Sequence, residues 1–238
     1  MTTLVIATRN LHKLREIQGI LGEGFDYRTL QDFPGAPAVS EDAGTFAGNA
    51  AKKAIAISTW LAASPDFTFR VPHPAVCVLA DDSGLEVDAL GGAPGVHSAR
   101  FAALDGAGQG NASDAANNAK LLGLLQDIEA EKRTARFRCV MALVPVPVSG
   151  LASGSPSCAA GGFENQPELF EGICEGTIGF EPRGQNGFGY DPLFFPLGHA
   201  QTFAELGDAV KNRLSHRAKA LAGLKAWLES GGYSTRTR

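Results

Sequence analysis

Several things are scarce in this 238-residue chain, and each scarcity removes a class of function. There are only four cysteines, Cys77, Cys139, Cys158 and Cys174, and no two form a C-x-x-C pair. That argues against a disulfide framework or a zinc site and for buried reduced thiols. No stretch approaches the roughly 18 consecutive apolar residues needed to span a bilayer. No basic segment precedes the strand-like start after Met1-Thr2-Thr3, so no signal peptide is expected. Basic charge is not in excess. The net charge is -4, which argues against broad binding to nucleic acid or an anionic membrane. Internal repeats are absent. What remains is a soluble, cytoplasmic chain with 44% hydrophobic residues, long enough for one large domain or two lobes with a substantial core.

The stretch that organises the rest is Leu79-Ala80-Asp81-Asp82-Ser83-Gly84-Leu85. It follows the apolar run Ala75 to Ala80, which reads as a buried strand. Neighbouring side chains of a strand point to opposite faces, so Asp81 and Asp82 should diverge. Carboxylates at the end of an apolar strand are costly without a partner. A divalent cation is one candidate, because Mg2+ is often held by one or two carboxylates plus substrate phosphates. The plainer alternative is a turn with an Asx cap.

Earlier in the chain, Leu4 to Thr8 reads as a first strand, and Leu11 to Leu21 has helical spacing of apolar residues. The Thr8-Arg9-Asn10-Leu11-His12-Lys13 turn between them would present helix N–H groups, an anion site by geometry and dipole. Lys13 in a first helical turn opposes the dipole but suits a phosphate; a routine cap with a solvated lysine is the competing reading. Phe25 to Leu30 suggests a short strand. Phe46 to Ala63 should be a helix that puts Asn49 and Lys53 on one face. Glu41, just before it, reads on its own as an exposed first-turn acid.

Further on, Ala115 to Ile128 is helical. Ala135 to Val148 reads as a long strand, with Pro145 and Pro147 suggesting a sheet edge. Leu169 to Phe180 would return alongside it. The Gly-rich loop Arg183 to Pro192 contains Phe188 and Tyr190, aromatics able to stack on a planar ring, though plain tight turns look similar. Lys211, His216 and Arg217 precede or open a last helix; a solvated helix start is the plainer reading there.

Taken together, the order and spacing of these pieces are specific. The set T-x-N-x-x-K (Thr8, Asn10, Lys13), E-x-x-x-T-F-x-x-N-A-x-x-K-A (Glu41 to Ala54), D-D-S-G-L-x-V-x-A-L-G-G-x-P-G (Asp81 to Gly95), G-F-G-Y-D-P (Gly187 to Pro192) and K-x-x-x-S-H-R (Lys211 to Arg217) strongly resembles the inosine triphosphate pyrophosphatase family. These are the non-canonical purine NTP, or dITP/XTP, pyrophosphatases. The resemblance spans residues 4 to about 228. It implies an α/β fold: an elongated mixed central β-sheet flanked by helices, with two lobes, an active-site cleft between them, and a homodimer. It implies Mg2+-dependent hydrolysis of ITP, dITP and XTP to the monophosphate and pyrophosphate, cleansing the nucleotide pool.

Residue by residue, the resemblance makes Asp82 the catalytic carboxylate and a metal ligand, and Glu41 the second metal-associated acid. It makes Thr8, Arg9, Asn10, Leu11, His12 and Lys13 the phosphate loop, and Lys53 a further phosphate contact. Ser83, Phe188, Gly189, Tyr190, Asp191, Lys211, His216 and Arg217 become substrate contacts. Arg9 departs from the Gly that many members carry. Three loops look long for the family, near residues 64–74, 104–113 and 149–166, within a single 1–238 domain. The alternatives are a Maf-like pyrophosphatase with another base preference, and a non-catalytic nucleotide-binding protein.

Overall fold

In a computed structural model of the protein, residues 2–64, 76–106, 110–147 and 166–232 are described. Residues 65–74, 107–109 and 149–165 of the three long loops, Cys158 among them, lie outside the described set. The chain forms a six-stranded sheet in the order β2-β1-β3-β4-β5-β6. Its strands are β1 (Thr2–Ile6), β2 (Phe25–Thr29), β3 (Val76–Val87), β4 (Thr134–Pro145), β5 (Glu168–Ile178) and β6 (Phe194–Pro196). Pairing of β1 with β2 and with β3 is parallel, and β5 with β6 antiparallel, so the sheet is mixed. The helices are α1 (Leu11–Leu21), α2 (Phe46–Ala63), α3 (Asp114–Leu124), α4 (Phe203–Leu206), α5 (Asp208–Leu214) and α6 (His216–Glu229). The α/β class expected from the sequence is the one observed.

The chain divides into two compact units. The first comprises Met1–Asp82, Val140–Glu171 and Ala220–Arg238. Its parallel pairings of β1 with β2 and of β1 with β3 need long connections, which α1 and α2 provide. Leu4, Val5, Ile6, Val78 and Leu79 are buried on the sheet. Ile17 and Leu21 of α1, and Ile57 and Leu61 of α2, are the buried positions of those helices. Both helices begin on side-chain caps. Asn10 accepts from the N–H groups of His12 and Lys13, and Thr45 from that of Gly48.

The second unit comprises Ser83–Cys139 and Gly172–Lys219. One cluster makes its core: Leu85, Val87, Leu121, Leu125, Phe137, Leu193, Phe194 and Phe203 are all buried in it. Phe137 and Phe194 meet at 4.6 Å between ring centres, and Phe194 and Phe203 at 5.4 Å. Arg133 is fully buried. Its guanidinium donates to the carbonyls of Leu125, Ile128 and Gly179 and lies 3.8 Å from the Phe180 ring.

Two expectations need correction. β3 does not stop at Asp81-Asp82; it runs on to Val87, because Leu85 and Val87 continue an apolar, buried face. The pair is therefore held in a strand and not in an Asx turn. β4 is interior, between β3 and β5, not an edge. Its Pro145 sits at the strand end, where a missing N–H breaks no ladder, and its carbonyl accepts from Ser58 Oγ at 2.7 Å. The C-terminal region forms three helices. Gly207, at φ 74°, takes a left-handed conformation between α4 and α5, and Ser215 separates α5 from α6.

Candidate functional site

In the first unit, six polar side chains converge on the middle of β3. Asp81 and Asp82 are both buried, 4% and 5% exposed. They take partners from different helices, as alternating strand residues should. Lys13 Nζ of α1 lies 3.0 Å from Asp81 Oδ2. Asn49 Nδ2 of α2 donates to Asp82 Oδ2 at 2.9 Å. Lys53, one turn further along α2, donates to the Asp81 carbonyl at 3.0 Å and is ion-paired with Glu41. Lys13 is therefore no solvated cap residue, and Glu41 is not in a first helical turn: it precedes Thr45, the cap of α2.

The electrostatics follow from that crowding. Burial pushes the Asp82 carboxyl up to about 6. The Asn49 hydrogen bond and the charges of Lys13 and Lys53 work against the rise, and the Glu41 charge adds to it. Lys53 shows the reverse balance. Burial alone would lower it, but Asp81, Glu41 and Asp82 hold it above the usual lysine value.

The Thr8 to Lys13 turn is tightly capped. Thr8 Oγ1 accepts from the N–H of Asn10 at 3.1 Å, and Asn10 Oδ1 accepts from those of His12 and Lys13 at 2.9 and 3.3 Å. The turn's own side chains thus hold the N–H groups that made it a candidate anion site. Arg9 is exposed and donates to the Ala36 carbonyl at 3.1 Å; Leu11 and His12 are exposed.

No group of three or more His, Cys, Asp or Glu side chains arranged to hold a metal occurs among the described residues. Mg2+ does not require one, since it keeps several waters and takes one or two carboxylates plus phosphate oxygens. Glu41 and Asp82 fit that pattern. The Glu41 charge disfavours ionisation of Asp82, and a divalent cation held by the two would relieve that repulsion.

The second unit holds another group. Lys211 and Asp191 form a buried ion pair at 2.5 Å, with side chains 3% and 2% exposed. Asp191 Oδ2 also accepts from the Phe188 N–H at 2.9 Å, so the pair fixes the aromatic loop. The Lys211 ammonium lies 4.4 Å from the Phe188 ring centre, and the Arg217 guanidinium 6.0 Å. Arg217 donates to Ser83 Oγ at 2.9 Å. His216 stacks on Phe137 at 4.8 Å. His216 and Arg217 are 4% and 1% exposed, so the plainer reading of a solvated helix start is wrong. Tyr190 is turned inward; its hydroxyl donates to the Ser98 carbonyl at 2.9 Å, and burial raises its pKa. Gly187 sits at φ 75°, and a Cβ there would collide with the Asp191 carboxylate.

Two sets of contacts escaped the sequence reading. Asn49 was legible only as a face-mate of Lys53. Asp114 and Asn118, one turn apart on α3, both grip Gly189: Asp114 Oδ2 accepts from its N–H at 2.7 Å, and Asn118 Nδ2 donates to its carbonyl at 3.1 Å. The i, i+4 spacing was visible, but nothing in the sequence names a loop seventy residues away as the target.

Fold and site define an α/β protein with a lysine-flanked acidic centre on a buried strand. The chain belongs to the Ham1 family, whose model matches residues 4–227. It is 42% identical over 229 residues to the dITP/XTP pyrophosphatase of Shouchella clausii, covering 96% of this chain and 98% of that one. To the dITP/XTP pyrophosphatase of Geobacter sulfurreducens it is 46% identical over 226 residues, 94% and 96% of the two chains. Among solved structures, a HAM1 protein from Coxiella burnetii superposes with a TM-score of 0.72 at 35% identity, over 97% of this chain and 100% of that one.

Proposed function

We propose that the protein hydrolyses non-canonical purine nucleoside triphosphates, ITP, dITP and XTP, to the monophosphate and pyrophosphate. Its family membership and the dITP/XTP pyrophosphatases it resembles support the reaction class. The observation that carries the chemistry is the buried Asp82, whose carboxyl is raised to about 6 in the lysine-flanked acidic centre of the first unit. A base is most effective when its pKa lies near the working pH, so Asp82 can be ionised at neutral pH and still accept a proton from an attacking water. Lys13 and Lys53 would neutralise phosphate oxygens, and the Thr8 to Lys13 turn, whose N–H groups are capped by Thr8 and Asn10, would meet them through its side chains. Glu41 and Asp82 would hold Mg2+, which when bound supplies charge neutralisation at the phosphates. Lys53 would then exchange its Glu41 contact for a phosphate.

Base recognition falls to residues of the second unit. Phe188 offers a ring for stacking, held in place by Asp191 and Lys211. His216 and Arg217 are donors suited to a 6-oxo group. Adenine's amino group would set donor against donor there, which discriminates against ATP. Ser83 and the Gly189 to Asp191 segment complete the substrate contacts. We extend the proposal to the whole 1–238 chain working as one domain, as a cytoplasmic homodimer. No described helix is long and apolar enough to cross a membrane.

The test is pyrophosphate release from ITP, XTP, ATP and a pyrimidine triphosphate panel with Mg2+. Release from ITP and XTP at least tenfold faster than from ATP is expected. Equal rates on ATP would sink the base preference, and tight binding without turnover would make the protein a sensor.

A further inference from the structure

We propose that Asn49 is a positioning residue that sets Asp82 against the Glu41 segment. This rests on the reading of Asp82 and Glu41 as the metal-holding acids. Asn49 is 1% exposed and lies on α2. Both ends of its amide are engaged. Oδ1 accepts from the N–H of Ala43 at 2.8 Å, and Nδ2 donates to Asp82 Oδ2 at 2.9 Å. The orientation of the amide is not arbitrary: a backbone N–H can only meet the oxygen, and an ionised carboxylate can only meet the NH2 group. Ala43 is two residues from Glu41, and Asp82 lies 33 positions from Asn49 in sequence. One side chain therefore fixes the segment bearing one acid to the strand bearing the other.

Lys53 repeats the arrangement one turn along the same helix. It contacts Glu41 on one side and the Asp81 carbonyl on the other. Together the two residues make α2 a double strut between residues 41–43 and 81–82. They are not equivalent. Lys53 is a flexible cation able to turn toward an anionic ligand, whereas Asn49 carries no charge and is almost entirely buried. The fixed part of the strut is Asn49. Asparagine is also well matched chemically, since the role needs a donor and an acceptor at short reach. Leucine has the size and neither function, and aspartate keeps the acceptor alone.

The experiment compares wild type, Asn49→Leu, Asn49→Asp and Asp82→Asn. Mn2+ affinity is measured calorimetrically on the substrate-free protein, and kcat and KM with ITP and Mg2+. Losing one charge-assisted hydrogen bond at a buried carboxylate corresponds to a ten- to hundredfold effect. We expect Asn49→Leu to bind Mn2+ about tenfold more weakly and to lose at least tenfold in kcat, with KM changed less than threefold. Asn49→Asp, which keeps only the Ala43 bond, should lose as much kcat. A merely structural residue would move the melting temperature and leave the metal affinity and kcat of the folded protein alone. Wild-type kcat in Asn49→Asp, or wild-type Mn2+ affinity and kcat in folded Asn49→Leu, overturns the proposal. Should Asn49→Leu not fold, Asn49→Asp decides. The control separates the layers. If Asp82→Asn binds Mn2+ like wild type, the reading of the metal acids is at fault. If it loses Mn2+ while the Asn49 variants keep it, the positioning role is at fault.

Discussion

Replacing Asp82 by asparagine should abolish turnover and yet, without metal, make the protein more stable. Asp82 is 5% exposed, and its carboxyl is pushed from 3.8 to about 6, first by burial and further by the Glu41 charge. At pH 7.5 it is ionised. One pKa unit corresponds to about 1.4 kcal/mol, so holding that charge in the folded state costs at most about 3 kcal/mol. Asparagine has the same shape and no charge, and its oxygen still accepts from Asn49. That net shift already includes the attraction of Lys13 and Lys53. A net stabilisation of about 1–3 kcal/mol follows, a rise in melting temperature of about 3–10 °C for a chain of this length. The assay is calorimetric melting of both proteins in EDTA. The sign with pH is fixed. A folded pKa above the unfolded one means that the wild type carries no penalty below pH 3.8 and the full penalty above about 6. The gap between the proteins should be open at pH 7.5 and closed near pH 4. Mg2+ should then favour the wild type, by about 2.7 kcal/mol at a hundredfold excess over its Kd. Equal stability in EDTA at pH 7.5, or a gap of the same size at pH 4, would refute the account of Asp82 as a charge held against its surroundings.

Two further perturbations probe the second unit. Lys211→Met leaves the Asp191 carboxylate buried without its lysine, so it should destabilise by about 3–5 kcal/mol; denaturant midpoints of Lys211→Met and of the double variant with Asp191→Asn measure it, and the double variant should recover part of the loss. Gly187→Ala forces a side chain into a left-handed backbone and against the Asp191 carboxylate. It should raise KM for ITP at least fivefold with kcat less affected, because the disturbed part is the Phe188 loop; steady-state kinetics decide.

Periodicity located most of the fold, and it did so where one element buries one face. α1 and α2 have the bounds their apolar spacing predicts, Leu11–Leu21 and Phe46–Ala63. It failed where burial is two-sided or the chain is punctuated locally. β4 was read as an edge from its prolines, although Ala135, Phe137, Cys139 and the run to Val144 are buried, as an interior strand requires. Sequence alone also named the residues of the acidic centre without their partners. Lys13 and Asp81 are far apart in the chain, and only the parallel pairing of β1 with β3 brings the start of α1 beside Asp81.

The Asp81-Asp82 pair shows how a buried strand can carry two acids for different ends. Asp81 has a lysine ion pair through its side chain and a second lysine on its carbonyl. Asp82 accepts from the Asn49 amide at 2.9 Å, and the charges of Lys13 and Lys53 act on it from nearby. A lysine in place of that amide would lower the Asp82 pKa and weaken it as a base. An amide fixes its position while leaving the carboxylate basic, and it leaves the net charge negative for a cation. The two neighbouring residues thus separate the tasks of anchoring the helices and presenting a reactive carboxylate. The prediction that follows is specific to the partner and not to the acid. Asn49→Lys, with a cation in place of the amide, should lower the Asp82 pKa and suppress Mn2+ binding at pH 7.5 even in a folded protein, whereas Asp81→Asn should chiefly reduce stability. Unchanged Mn2+ affinity in folded Asn49→Lys would show that the identity of the partner does not matter.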